Sequence, residues 1–213
     1  MKTPIKNLFV AALTIVALSS ASVVTSATEI NSNRTALTHV KNINKIVVNG
    51  NVKLILVQDN KESVEVYDQY YSKNALVQQQ GNELRISSFD KNTLTVIAHI
   101  NNLSSIEASN TSTVSTSGKF NLLNLNVILK DQASAEINAN TVSLSTMVKD
   151  SANLKLEGST DDHTVVMGSQ AKLKMEDFRA ENTTISTTSK AVLASNNTSR
   201  YDDLKISLLE KLF

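Results

Sequence analysis

Apolar and polar side chains alternate along most of this chain with a period of two. In the segment "VKDSANLKLEG", residues 148–158, small or apolar side chains recur at every second position from Ala152 to Leu156, with polar ones between them. A period of two places alternate side chains on opposite faces of a strand, whereas an amphipathic helix repeats about every 3.6 residues. The pattern therefore predicts half-buried β-strands, and no helical period competes with it.

Versions of this segment recur about every 20 residues, so equivalent positions can be aligned in columns. Each repeat has two strand segments separated by a polar corner such as "KDQ", "KDS", "GSQ" or "TSK". The segment before the corner has two columns: Ile106, Val127, Thr146, Val165, Ile185, Ile206 and Ala108, Leu129, Val148, Met167, Thr187, Leu208. The segment after it has three: Ser112, Ala133, Ala152, Ala171, Ala191; Val114, Ala135, Leu154, Leu173, Leu193; and Thr116, Ile137, Leu156, Met175, Ser195. Such regularity indicates a repeated structural unit.

A period near 20 residues with two strands per period is typical of a β-solenoid, in which each winding lies one strand spacing further along the axis. Equivalent residues then stack at about 4.8 Å per winding, and six windings make a column about 25 Å tall. An antiparallel sandwich could produce similar alternation, but it would not require the same corner residues to recur at every second strand. We therefore predict an all-β chain that forms a parallel β-helix-like solenoid with windings of about 20 residues.

The two ends of the repeat region follow the period less clearly. Residues 43–100 contain strand patterns around Asn49-Gly50 and a turn at Gly81-Asn82, which fit either a hairpin cap or irregular early windings. The final segment, "YDDLKISLLEKLF", is expected to supply a last strand that covers the open edge.

The first 27 residues differ in kind from the rest. A short cationic head precedes the apolar run 8–18, and small residues suited to cleavage after Ala21 or Ala27 follow. This order is typical of a secretory signal peptide, because a helical run of that length, about 16 Å, is too short to span about 30 Å of hydrocarbon. We predict a signal peptide at 1–27, a flexible polar lead-in at 28–42 and a single β-solenoid domain at 43–213.

Composition and charge narrow the functional classes. The chain has no Trp, one Pro and five Gly, and its surplus of Ser, Thr and Asn favours many short strands with polar outer faces. A net charge of +1 predicts no basic surface that would attract nucleic acid. The absence of Cys excludes disulfides, thiolate chemistry and the acylated cysteine of a lipoprotein. We expect an exported protein (periplasmic, at the cell surface or secreted) that does not span a membrane after signal cleavage.

The opening strand pair and the repeat together carry a resemblance to a known family. "INKIVVNGNVKLILVQDNKESVEV", followed by windings of the form S-x-A-x-L-x-L-x-G, resembles the bacterial family labelled "putative auto-transporter adhesin", or GIN domain, over residues 43–209. The resemblance implies export and a right-handed β-helix-like fold, and it supplies no catalytic residues. Where the family has Gly-Ser-Gly, this chain has Asp131-Gln132-Ala133, Asp150-Ser151-Ala152 and Ser169-Gln170-Ala171. Ala in place of Gly implies corners that need no positive dihedral there, or a divergent member.

Residues able to perform chemistry are scattered. His39 precedes the core, His99 lies in a strand, and His163 lies near a corner beside Asp161 and Asp162. Metal binding or catalysis needs two or more such groups to converge, and these spacings place no two His on one solenoid face. We therefore predict isolated surface His or internally satisfied His, and we predict no catalytic, cofactor-binding or metal-binding residue.

Acidic pairs suggest calcium only weakly. The pairs are Asp161 with Asp162, Asp202 with Asp203, and Asp59 with Glu62. Calcium requires six to eight oxygen ligands, and adjacent carboxylates on a strand point to opposite sides. We expect these to be solvated turn charges. Asp131 and Asp150 would stack about 5 Å apart, but the neighbouring Lys130 and Lys149 favour a ladder of alternating charge over a metal.

The leading functional hypothesis is a non-enzymatic, adhesin-like binding module whose Ser-, Thr- and Asn-rich walls meet a protein or glycan surface. One alternative is an envelope structural protein that binds a single endogenous partner, and another is a polysaccharide-active enzyme. Such enzymes place paired carboxylates, or Asp with Arg and Lys, on one face of adjacent windings. The Arg residues here are widely separated, at Arg34, Arg85, Arg179 and Arg200.

Overall fold

The chain is all-β in the residues that the structure describes. The structure is a computed structural model that describes residues 34–37, 39–67 and 75–188, and the predicted signal peptide at 1–27 lies outside them. No helix occurs in these ranges, and therefore none that could cross a membrane. The strands are β1 (Arg34–Leu37), β2 (Lys45–Gly50), β3 (Val52–Gln58), β4 (Ser63–Tyr67), β5 (Ala75–Gln80), β6 (Glu83–Ser88), β7 (Leu94–Ile100), β8 (Ser105–Ser109), β9 (Thr113–Ser117), β10 (Phe120–Leu129), β11 (Ser134–Val148), β12 (Asn153–Gly168) and β13 (Lys172–Thr188). All thirteen belong to one sheet.

From residue 105 onward the strands stack in parallel and in chain order, with the predicted columns in register. β8, β10, β11, β12 and β13 pair successively, and each first-segment column position lies opposite its equivalent in the next winding. The spacing in sequence between paired residues of β12 and β13 lengthens from 19 to 20, because β13 carries one extra residue opposite the segment Lys155–Glu157. The two columns before the corner and the column through Val114, Ala135, Leu154 and Leu173 are thus confirmed within the described residues. The column through Leu156 and Met175 is interrupted by this extra residue, and the column members from Ala191 to Leu208 lie outside the described residues.

The early windings do not follow chain order, which corrects the expectation that each winding adds to the one before. β2 lies between β6 and β8, and β3 lies between β7 and β9, all in parallel. Consequently the winding β2–β3 is inserted between the windings β6–β7 and β8–β9. Asn49-Gly50 is a corner between β2 and β3 rather than a hairpin turn. Gly50 is required there because its φ is +87° and a Cβ would collide with the backbone carbonyl of Ser88.

Antiparallel strands close this end of the sheet. β5 pairs with β6 through a hairpin at Gly81-Asn82, so the hairpin alternative holds for this segment while 45–58 and 83–100 form windings. β4 pairs with β7, and β1 pairs with β4. Residues 34–37 of the predicted 28–42 lead-in are therefore strand β1.

The core lies inside the stacked windings and is built from the inward columns. Ala133 and Ala152 have no exposed surface, and Leu154 and Leu156 are each 1% exposed. Small side chains at the first inward position after each corner let the corner approach the strands on the opposite side of the core, and larger side chains fill the centre of the core. The core is less covered at β13, where Ile185 is 58% exposed. Within the described residues β13 pairs with β12 alone.

Candidate binding surface

The corners between windings are connected by side chains of Asn and Asp. The side-chain amide of Asn110 donates to the Asn49 side-chain oxygen in the winding on one side. On the other side, the backbone N–H of Asn110 donates to the Asp131 carboxylate at 2.9 Å, and the N–H of Asp131 donates to the Asp150 carboxylate at 3.2 Å. We call these four residues the corner ladder. Each hydrogen bond joins consecutive windings, so the ladder aligns one corner above the next.

The backbone of the corner ladder explains the choice of these residue types. Asn110, Asp131 and Asp150 have φ of 59°, 59° and 53°, a left-handed conformation that Asn and Asp tolerate better than other non-glycine residues. Ala133 and Ala152, two residues further on, do not adopt positive φ. The corners at Asp131 and Asp150 therefore have a positive dihedral at the first of the two glycine positions that the resemblance supplies, and not at the second, whereas the corner Ser169-Gln170-Ala171 has a positive φ at neither.

Charged groups around these corners are paired rather than arranged to hold a metal. The Lys130 ammonium lies 2.7 Å from the Glu107 carboxylate, a winding away, and Lys155 contacts both Glu136 and Glu157. Hydrogen bonds that the Lys155 ammonium donates to these two carboxylates raise the pKa of Lys155 above its ordinary value. Among the described residues no group of three or more His, Cys, Asp or Glu could hold a metal ion.

The three His lie apart. His39 is exposed. The His99 ring nitrogen Nδ1 lies 3.4 Å from the Asp59 carboxylate at the surface. The pKa of Asp59 is lowered chiefly by the backbone N–H of Lys61, with a smaller effect from His99.

His163 is a core residue with one unsatisfied ring nitrogen, which corrects the expectation of an exposed or satisfied His. It occupies the inward position equivalent to Leu144 and is 2% exposed. Its Nε2 lies 3.0 Å from the Thr146 hydroxyl, and its ring packs edge-on against Phe178 with centroids 5.3 Å apart. Nδ1 has no hydrogen-bond partner. Burial lowers the pKa of His163, so the neutral ring is favoured.

The pair Asp161-Asp162 lies within strand β12 and both side chains face outward, which corrects the expectations of turn charges and of adjacent carboxylates on opposite sides. Asp161 and Asp162 are both exposed, and an Asp162 oxygen accepts a hydrogen bond from the Asn182 amide at 3.1 Å. The Glu62 carboxylate accepts the backbone N–H of Ile43 at 3.3 Å. The third pair, Asp202-Asp203, lies outside the described residues.

A second feature of the surface is a bend within the long strands β10, β11 and β12. At this bend two consecutive side chains face outward, between inward residues such as Leu122 and Leu125 in β10. Leu122 pairs with Thr141 and Asn124 with Ser143, so the outward residues Leu123 and Val142 occupy equivalent places in adjacent windings. Leu123 is 72% exposed and Val142 is 47% exposed. We call residues 121–124 and 140–143 the bend strip.

A polar ladder runs beside these two apolar side chains. The Asn140 amide donates to the Asn121 side-chain oxygen at 3.3 Å, and the Ser159 hydroxyl donates to the Asn140 side-chain oxygen at 3.1 Å. Gln58 holds the backbone of Asn121 on both sides, since its side-chain oxygen accepts the Asn121 N–H at 2.9 Å and its amide donates to the Asn121 carbonyl at 3.1 Å. The position of the strip is thereby fixed across three windings.

The bend strip borders an open groove of about 420 Å³. The side chains that line it are uncharged and comprise Asn121, Leu122, Leu123, Asn140, Thr141 and Val142. Other exposed large hydrophobic side chains in the described residues are Leu76 on β5, Phe89 in the connection between β6 and β7, and Ile185 on β13. The bend strip therefore presents apolar contact area together with amide and hydroxyl groups along one open groove.

The recurring apolar columns do not reveal the bend strip, although the sequence contains a signal for it. The alternation slips by one position at "LLNL", 122–125, and again at "TVSL", 141–144, where two outward residues stand between inward ones. Such a phase slip at the same place in consecutive repeats marks a bend in a continuous strand. A search for shifts in phase, rather than for recurring apolar columns, would have located it.

One family model and several solved structures match this chain. The family model described as "Putative auto-transporter adhesin, head GIN domain" matches residues 42–202 of the 213. No curated protein shows a significant match.

Several solved structures share the fold. A protein titled "putative adhesin" from Bacteroides fragilis NCTC 9343 aligns with a TM-score of 0.62 at 17% identity, covering 75% of this chain and 77% of that one. Another "putative adhesin", from Parabacteroides distasonis ATCC 8503, aligns with a TM-score of 0.56 at 14% identity, covering 73% and 78%. A "Putative lipid binding protein" from the same strain aligns with a TM-score of 0.59 at 11% identity, covering 74% and 78%.

Proposed function

This chain belongs to the family described as "Putative auto-transporter adhesin, head GIN domain", and from that premise we propose that it is a non-enzymatic, exported binding module that acts as an adhesin does. After removal of a signal peptide at 1–27 it would reside in the periplasm, at the cell surface or outside the cell. Its windings would form a right-handed parallel β-solenoid, and its walls would bind a protein or glycan surface.

The stacking of outward polar side chains in register is the observation that carries this proposal. One outward column contains Ser105, Asn126, Ser145, Thr164 and Thr184 in successive windings. Parallel ladders on both sides fix the backbone spacing of these groups at about 4.8 Å. A surface whose side chains are ordered by folding loses less conformational entropy on binding, so it suits recognition of an extended partner. The corner ladder adds hydrogen bonds that hold the windings in this register.

Cell fractionation combined with binding assays tests the proposal. We expect the protein in the periplasm, in the outer envelope or in the medium, and we expect the purified protein to bind an array of glycans or immobilised extracellular matrix proteins. A cytoplasmic location, or the absence of binding to all of these surfaces, would contradict it.

The same preparation distinguishes the two alternatives. An envelope structural protein would co-purify with a single envelope component and bind neither glycans nor matrix proteins. A polysaccharide-active enzyme would release reducing or unsaturated sugars from polysaccharide. Either result would replace the adhesin-like function.

A further inference from the structure

We propose that the bend strip is a binding site for an uncharged glycan chain that lies along the stack of windings. This inference rests on the proposed binding function and names the surface and the partner class. The groove at the strip is lined by Asn121, Leu123, Asn140 and Val142 together with the more buried Leu122 and Thr141. The groove, of about 420 Å³, is open to solvent, so it suits a chain that lies across the surface rather than a small molecule that must be enclosed.

The chemistry of the lining matches that of a neutral sugar ring. A pyranose has an apolar face of C–H groups and an edge of hydroxyl groups, and it carries no charge. Leu123 and Val142 present an apolar ridge, 72% and 47% exposed, against which C–H groups can pack. The amides of Asn121 and Asn140 stand beside the ridge and supply donors and acceptors for hydroxyl groups. None of the lining side chains is charged, so an anionic ligand gains no electrostatic attraction there.

The repeat makes the site suitable for a chain rather than for a single sugar. Two equivalent pairs of side chains lie in adjacent windings, Leu123 with Asn121 in one and Val142 with Asn140 in the next. The pairs are one winding apart, about 4.8 Å, which is close to the length of one pyranose unit in a chain. Successive sugars can therefore make the same contact twice. Because Gln58 and Ser159 hold the Asn ladder at its two ends, the donors and acceptors are positioned before binding.

Two other partner classes fit the strip less well. A peptide could add as a strand only along β10 at 121–124, since β8 pairs with β10 at 126–129 alone and β11 is paired on both sides. There the backbone N–H and carbonyl of Asn121 are already hydrogen-bonded to the side chain of Gln58. A lipid acyl chain needs a site that encloses most of its surface, whereas this groove is open to solvent. Side-chain recognition of a polar, uncharged chain remains the best match.

Titration of the ¹⁵N-labelled protein with neutral hexasaccharides of glucose, mannose, galactose and N-acetylglucosamine, followed by NMR, tests the inference. We expect at least one of them to cause saturable shifts in the amide resonances of 121–124 and 140–143. Replacement of both apolar residues, Leu123→Ser with Val142→Ser, should raise the Kd about tenfold, since it removes the apolar contact area. The control variant Leu76→Ser changes a 48%-exposed leucine on β5 and should leave the Kd unchanged.

Each other outcome contradicts a defined part of the reasoning. Saturable binding that the double variant retains would place the glycan site elsewhere and overturn the strip while leaving the binding function intact. Strip shifts caused only by oligogalacturonate or by phosphatidylcholine vesicles would overturn the neutral glycan as the partner. No binding to the hexasaccharides up to their solubility limit would overturn the inference. The proposed function would fail only if the wild-type protein also bound no other glycan and no matrix protein.

Discussion

Replacing Leu154 tests whether the columns of the repeat form the core. Leu154 is 1% exposed and lies between Ala135 of the winding before and Leu173 of the winding after. Both neighbouring strands are held by backbone hydrogen bonds, so they cannot collapse into the space that Leu154→Ala would create. Buried Leu→Ala changes of this kind cost about 3–5 kcal/mol. In a chain of this size that corresponds to a fall in Tm of about 6–20 °C.

A matched control uses the same substitution at an exposed position. Leu123→Ala removes the same atoms from a leucine that is 72% exposed, and we expect a change within about 0.5 kcal/mol. Thermal unfolding followed by far-UV circular dichroism measures both variants. Leu154→Asp should prevent folding at neutral pH, because an unpaired buried carboxylate costs several kcal/mol against a typical total stability of about 5–15 kcal/mol. Equal Tm values for Leu154→Ala and Leu123→Ala, or a Leu154→Asp variant as stable as the wild type, would refute the assignment of the core.

Three further predictions concern the corners and the buried imidazole. Gly50→Ala should lower the free energy of unfolding by about 3 kcal/mol, because the positive φ is combined with a collision between the new Cβ and a carbonyl of the adjacent winding. Gly81→Ala, where φ is also positive but the space is open, should lower it by about 1 kcal/mol. Equal decreases in Tm for the two variants would contradict this prediction. Asp131→Ala should lower the free energy of unfolding by about 2 kcal/mol, because it removes the hydrogen bond to the Asn110 N–H and because Ala tolerates the left-handed backbone less well. Asp131→Asn should retain most of this stability when both variants are unfolded in urea. Burial lowers the pKa of His163 from 6.5, so below about pH 6.5 the unfolded chain binds a proton that the folded chain does not, and stability should fall as the pH drops toward the folded pKa. His163→Leu should reduce this loss when Tm is compared at about pH 7.5 and about pH 5.5, and an unchanged pH dependence would show that His163 is not responsible.

The strands and the alignment of the later windings could be predicted from the order of residues in the chain. Whether a side chain faces inward or outward in a strand depends only on its position in the alternation, so the columns through Val127, Leu154 and Leu173 could be predicted from spacing. The corner residues Asp131 and Asp150 were also visible as a recurring feature. Their hydrogen bonds to the neighbouring winding could not be predicted, because spacing alone does not show which backbone group a carboxylate oxygen contacts.

The order of the windings and the position of the candidate site are seen only in the folded chain. The insertion of β2–β3 between β6–β7 and β8–β9 depends on which strand edges meet, and every one of those strands has an equally suitable alternation. The exposure of Leu123 and Val142 likewise depends on the bend that turns two consecutive residues outward. His163 is buried with an unsatisfied nitrogen because its inward position is set by the winding and not by its polarity. Local alternation specifies faces, whereas the order of strands and the shape of the groove arise from contacts between residues distant in the chain.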